Sequence, residues 1–465
     1  MDKKRSKLEM KVEILVEKFI KPSFNTPNHL QTLKLSFFDL LVHPSYATLL
    51  YYYSADHETV NDTAIDEVSK RLKKLQESLS DVLTRFHPLA GRLVFNEGDF
   101  HHVDCQDQGV LYREARLNCQ LNEFLEAAYE DLDLITSLAP RKVFRDIDLV
   151  IAPLVCVQVN QFNCGGLVIA VEILHTMGDG FTGTRFTYEW AKISRSNLTS
   201  EANFSTLQKN TLLAQFDVGH VLPRIDLSNK IKPFPPLSPQ LKIVTKRFLF
   251  DEATISGLKN EIMASDITFE RQPSKVEVVT AFLWSRLVRA SQARHGYLRP
   301  CMTSISMNLR GKKTALEFHE NSFGNVYIPV PIKFIPDDDQ IKMELSDFMH
   351  LIRDAMQKTL QDLAKASKEE VYSIVINAHN EMRECLSNEA VDARFSTSLC
   401  RFPLYEADFG WGKPSWVSTR KLLSEMFVLI DRPFGNGVEV WMNLNEIEML
   451  KLLCDQSMAT LISPP

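Results

Sequence analysis

Nothing in the 465-residue chain approaches the roughly 18 uncharged apolar residues that a membrane-spanning helix needs, so no span is expected. The amino terminus, MDKKRSKLEMKVEILVEKF, has the positive start of a signal peptide without its apolar stretch, because Glu9, Lys11, Glu13 and Glu17 interrupt it. The expectation is a cytoplasmic protein, in which the N-x-S/T sequons at Asn61, Asn197 and Asn203 carry no sugar. No C-x-x-C pair occurs among Cys105, Cys119, Cys156, Cys164, Cys301, Cys385, Cys400 and Cys454, which argues against a zinc site and against a redox dithiol. Free thiols in a reducing compartment are the plain reading. The chain also lacks G-x-S-x-G, G-x-G-x-x-G, a Walker lysine and H-E-x-x-H, which removes the serine-hydrolase elbow, the dinucleotide and triphosphate loops and the zincin helix. A net charge of −6 with both signs interspersed leaves no basic stripe, and nucleic acid is not an expected partner.

What remains is ordinary globular composition, 45% hydrophobic and 24% charged, on a chain long enough for two domains. From Val68, apolar residues recur at Leu72, Leu75, Leu79, Val82 and Phe86, the spacing of one helical face, which stops where Pro88 and Gly91 intervene. PLVCVQVNQF and GLVIAVEIL are β-branched runs separated by Asn163, Cys164 and Gly165, a hairpin pattern that sets His175 at the end of a strand. FTGTRFTYEWAKISR then reads as a helix. A polar, proline-rich stretch with Pro223, Pro233, Pro235, Pro236 and Pro239 follows, and the second half restarts with strand and helix patterns. The expected division is an amino-terminal α/β domain over 1–193, a crossover over 194–241 and a carboxy-terminal α/β domain over 242–465.

The pattern H-x-x-x-D occurs twice, so the spacing alone means little. His350 and Asp354 lie in ELSDFMHLIRDAMQKTLQDL, where the apolar periodicity is helical, and read as an i,i+4 pair on a solvated face. His175 and Asp179 lie instead in HTMGDG at a strand-to-loop junction, where Gly178 and Gly180 permit close backbone approach. His175 is then either a hydrogen-bonded histidine at a strand end or a general base, for which imidazole is suited because it takes and returns a proton near neutral pH. A metal is not expected, since no third ligand accompanies the pair.

HTMGDG and, in the other half of the chain, DFGWGKP at 408–414 resemble the two signatures of the plant BAHD acyltransferases. The segments IKPSFNTP, HPLAGRL, VDCQDQGV, MNLRGK and NSFGNV are similar to that family as well, so the resemblance spans essentially the whole chain and is nearest to the vinorine-synthase-like, alkaloid-acylating group. The resemblance implies an α/β fold of two similar mixed domains, chloramphenicol acetyltransferase-like, with the active-site channel at their interface. It implies a monomer that uses acyl-CoA, acetyl-CoA or malonyl-CoA, as co-substrate and a small-molecule hydroxyl, of an alkaloid or related metabolite, as acceptor. No metal and no permanently bound cofactor are implied. Malonyl transfer to oxygen or nitrogen is the alternative, and a non-catalytic CoA or metabolite binder of the same fold the remoter one.

By the same resemblance His175 is the general base, and Asp179 turns away from substrate to pair with an arginine, for which Arg310 in MNLRGK is the candidate. Asp408 and Trp411 are expected at the catalytic site, Asp408 anchoring the loop that Gly410 and Gly412 allow and the Trp411 indole N–H donating to the oxyanion. Ser274 and Lys275, at the start of the helix in SKVEVVTAFLW, are expected at the CoA phosphates, where a helix N-terminus favours anions. A malonyl carboxylate would need a cation, for which Arg185, Arg420 and Arg432 are candidates.

Overall fold

The computed structural model describes residues 10–55, 63–96, 99–140, 148–149, 151–196, 216, 218–227, 230–234, 242–265, 271–336, 343–421 and 424–462. Asn61, Asn197 and Asn203, and with them Pro235, Pro236 and Pro239, lie outside these residues. The first half of the chain supplies β1 (Val12–Ile20), β2 (Thr32–Lys34), β3 (Tyr46–Tyr53), β4 (Arg92–Asn96), β5 (Asp99–Asp104), β6 (Val110–Leu117), β7 (Val155–Gln161) and β8 (Leu167–Leu174). The second half supplies β9 (Ile243–Phe250), β10 (Cys301–Asn308), β11 (Tyr327–Phe334), β12 (Asp392–Ser398), β13 (Trp416–Ser418), β14 (Met426–Asp431) and β15 (Val438–Asn445).

Two six-stranded mixed sheets result, ordered β1-β6-β7-β8-β3-β13 and β11-β10-β12-β14-β15-β9, with a small sheet β2-β5-β4 beside them. β7 and β8 form the hairpin that their β-branched runs suggest, paired from Val155 with Ile173 to Gln161 with Leu167 and turned at Gly165, whose φ is 80°. Every residue of β8 is buried, which fits a strand covered on both faces. In the same core lies α1 (Thr63–Arg85), which sinks Leu72, Leu75, Leu79 and Val82. Each such side chain contributes about 1.5–3 kcal/mol by leaving water. α2 (Leu121–Glu130) follows, and then α3 (Gly180–Ser196), locked onto α1 by the Trp190 indole N–H, which donates to Ser78 Oγ at 3.0 Å.

In the second half, the helix Lys275–His295 buries Val278, Val279, Leu283 and Trp284. The helix Leu345–Lys365 turns Phe348, Met349 and Ile352 inward and leaves His350 and Asp354 in solvent, paired at 3.1 Å. That pair is the solvated helix face its periodicity indicates. The sheets do not follow the chain division completely: β13, from the second half, pairs antiparallel with β3, Trp416 against Tyr52 and Ser418 against Leu50. All eight cysteines are free thiols. Among the described residues no helix is long and apolar enough to cross a membrane, and no three His, Cys, Asp or Glu side chains are grouped to hold a metal ion.

Candidate active site

β8 ends at Leu174, and the chain enters a single 3-10 turn, His175–Met177. Backbone bonds fix the histidine: its N–H donates to Ser45 O at 2.7 Å, and its carbonyl accepts from Asn325 Nδ2 at 2.8 Å and from Gly178 N at 3.2 Å. The ring's Nδ1 is buried and has no hydrogen-bond partner, and the ring lies 6.2 Å from that of Tyr327. Asn325 and Tyr327 belong to the second half of the chain, so both halves build the turn's surroundings. Gly178 is required by space, since a Cβ there would stand 2.4 Å from Thr182 Cγ2 and 2.7 Å from Thr182 Cβ.

Asp179 points away from the imidazole. Its carboxylate is met by Arg310, Nη1 at 2.7 Å and Nη2 at 3.2 Å, and accepts further bonds from Thr182 N at 3.0 Å and Val326 N at 3.1 Å. Burial alone would raise its proton affinity, but the Arg310 charge and these donors outweigh it and hold the carboxyl below its ordinary value. Arg310 is spent on the same loop: it donates to Ser322 O at 2.8 Å and Gly324 O at 2.9 Å and lies 4.5 Å over the Phe181 ring. The pair is a bidentate rivet between the start of α3 and residues 322–326.

Two further residues grip that region and were not among the sequence candidates, Asp39 and Asn325. Asp39 Oδ2 accepts from Ser36 N at 2.8 Å and Ser36 Oγ at 2.7 Å, and Oδ1 accepts from Asn325 N at 3.2 Å and Asn325 Nδ2 at 2.9 Å. Burial nonetheless pushes this carboxyl above its ordinary value. The available signals were the S-x-x-D spacing of Ser36 and Asp39, which favours a side-chain cap, and the position of Asn325 in NSFGNV. Nearby, His43 has a lowered proton affinity, chiefly from lost solvent and then from the charges of Arg383 and His175.

The second motif, with Asp408 and Trp411, lies at the other ends of β3 and α3 from His175. Trp411 packs on Phe409 at 5.7 Å, on Tyr53 at 6.2 Å and under the Arg71 guanidinium at 5.5 Å. Tyr53 and Tyr46 are the two ends of β3, and it is Tyr46 that pairs with Leu174 beside His175. Seven residues of extended chain put Tyr53 roughly 23 Å from that end. α3 gives an independent measure: a Cβ on Gly410 would lie 3.6 Å from Arg195 Cα, at the opposite end of α3 from Gly180. Fifteen helical residues span about 22 Å. Both paths set Trp411 far from His175. Asp408 caps its own loop, Oδ1 accepting from Gly410 N at 2.8 Å and Gly412 N at 3.0 Å, and the two glycines have φ of 110° and 104°.

Ser274 and Lys275 have structural partners. Ser274 Oγ caps its helix by accepting from Glu277 N at 3.3 Å, the Glu277 carboxylate accepts from Ser274 N at 2.8 Å, and Lys275 Nζ pairs with Asp431 at 2.6 Å. Arg185 pairs with Glu189 at 3.1 Å and Arg420 with Glu172 at 2.8 Å, while Arg432 N donates to Gly437 O in the turn between β14 and β15.

The family model described as "Transferase family" matches residues 10–458. Acetyl-CoA-benzylalcohol acetyltransferase of Clarkia breweri is 33% identical over 95% of this chain and 97% of its own. Salutaridinol 7-O-acetyltransferase of Papaver somniferum is 29% identical over 95% of this chain and 96% of its own. The crystal structure of vinorine synthase superposes with a TM-score of 0.76 at 25% identity, covering 97% of this chain and 99% of that one. With both six-stranded sheets, the histidine turn and the arginine rivet in place, the chain belongs to this Transferase family, the BAHD acyl-CoA-dependent acyltransferases, and has their chloramphenicol acetyltransferase-like α/β fold.

Proposed function

We propose that the enzyme transfers an acetyl group from acetyl-CoA to a hydroxyl of a plant specialised metabolite, an alkaloid alcohol, with His175 as the general base. The observation that carries the reading is the His175 turn: backbone bonds hold the residue at its N–H and carbonyl, and the ring is free of hydrogen-bond partners at Nδ1. With Nδ1 buried and the side chain only partly so, Nε2 is the nitrogen left to meet substrate. In the reaction the imidazole takes the proton of the acceptor hydroxyl as the oxygen attacks the thioester carbonyl. The tetrahedral intermediate collapses by breaking the C–S bond, and the imidazolium returns its proton to the departing CoA sulfur. Base assistance of this kind is worth about 10² to 10⁴ in rate.

Acetyl is favoured over malonyl because two of the three arginines considered for a second carboxylate are committed elsewhere, Arg185 to Glu189 and Arg420 to Glu172. Relatives named for acetyl-CoA and for the 7-hydroxyl of salutaridinol support an acetyl donor and an alcohol acceptor. The test is free-thiol release from acetyl-CoA and malonyl-CoA against a panel of alkaloid and benzylic alcohols, wild type beside His175→Ala. Acceptor-dependent release with acetyl-CoA, lost in His175→Ala, is the expected result. CoA binding without release for any pair would turn the reading towards a non-catalytic binder.

A further inference from the structure

The Asp39 carboxylate is nearly sealed from solvent, and no cation pairs with it among the described residues. A buried charge in that position is costly unless donors surround it. Here four do, two from Ser36 and two from Asn325, one pair to each oxygen. The arrangement demands a carboxylate: an amide would present its NH2 group to one of the two donor pairs. Asn325 is thereby fixed in a single orientation, and its Nδ2 also donates to the His175 carbonyl at 2.8 Å, with Thr176 O at 3.4 Å. The Arg310 rivet holds the same loop from the other side, through Ser322 O and Gly324 O. The histidine turn thus hangs between two carboxylates, one paired with arginine and one fed by amides. The second connects, bond by bond, to His175 itself.

We propose that Asp39 is a positioning residue for acyl transfer: by fixing the Asn325 amide it fixes the His175 carbonyl, and so the direction in which the imidazole meets the acceptor hydroxyl. The proposal rests on His175 being the base. Misplacing a reacting group by an ångström costs rate far more than affinity. The chain of contact therefore has a kinetic signature distinct from a role in folding alone.

The experiment compares kcat and KM for acetyl-CoA, by thiol release with an accepted alcohol, in Asp39→Asn, Asn325→Ala, their double variant, Ser36→Ala and His175→Ala, each with its melting temperature. Asp39→Asn and Asn325→Ala are expected to lose about tenfold or more in kcat with KM for acetyl-CoA within about twofold. The double variant is expected to lose no more than the worse single one, because both break one chain of contacts. Ser36→Ala, which removes one donor from Oδ2 and leaves the Oδ1 pair on Asn325 intact, is expected to lose less kcat than Asn325→Ala; a larger loss overturns the route through Asn325. Wild-type kcat in Asn325→Ala, or losses that multiply in the double variant, overturns the proposal, and Asn325→Ala decides if Asp39→Asn does not fold. Activity surviving in His175→Ala would instead overturn the base assignment itself. An inactive His175→Ala beside Asp39→Asn and Asn325→Ala at wild-type kcat overturns the positioning role alone.

Discussion

HTMGDG and DFGWG are alike as strings, each a tight loop with one aspartate and two glycines, and the structure uses them in opposite ways. In the first, the aspartate is turned outward from the ring onto Arg310 while the histidine keeps a free ring nitrogen. In the second, the aspartate is folded inward onto its own loop amides, and the tryptophan is packed among Tyr53, Phe409 and Arg71. Glycine with aspartate marks a tight loop whatever its task. What separates the two loops is what each holds: a histidine fixed through its backbone in the first, a tryptophan packed among rings in the second.

The sharpest way to break the comparison is His175→Ala, expected to lower kcat/KM by about 10² to 10⁴ with little change in melting temperature. Next is the rivet. Removing Arg310 leaves a buried carboxylate unpaired, and Arg310→Ala is expected to cost about 3–5 kcal/mol, read as a lower midpoint in denaturant unfolding. The same pair sets an acid limit. Because the folded Asp179 carboxyl is held below its unfolded value near 3.8, its contribution is complete above that value and is lost as pH falls through the lower folded one. The wild-type unfolding midpoint should therefore fall more steeply below pH 4 than that of Asp179→Asn, measured by denaturant melts across pH.

Much of this was legible in the sequence. The apolar periodicity of Leu72 to Val82 and the paired β-branched runs place α1, β7 and β8, because burial and strand pairing are local consequences of pattern. The strand-end position of His175 follows from them. The grip of Asp39 on Asn325 was not legible, since it joins residues 286 positions apart and no local period marks it. The distance between Trp411 and His175 was hidden for the same reason: it depends on β13 crossing to pair with β3, a tertiary choice no spacing announces.

A smaller effect is expected at the helix Lys275–His295. Lys275 is held by Asp431 and is partly exposed, so its charge is shared before any phosphate arrives. Lys275→Ala should raise KM for acetyl-CoA by about threefold and leave kcat unchanged, in keeping with the modest worth of partly exposed ion pairs. A larger rise would place the CoA phosphates on this lysine more firmly than its present pairing suggests.

The smallest expected effect is the most telling about the two loops. The Trp411 Nε1 is buried without a hydrogen-bond partner, whereas the ring around it is stacked on Phe409 and capped by Arg71. Trp411→Phe keeps most of the stacking and removes the unsatisfied donor, so losing the N–H relieves a cost rather than a bond. Its kcat is expected to stay within about twofold of wild type, against the roughly 10² to 10³ that loss of an oxyanion donor produces. A loss of the latter size, with the melting temperature unchanged, would mean that the chain brings the two loops together during turnover. The separation measured along β3 and α3 would then describe only the resting enzyme.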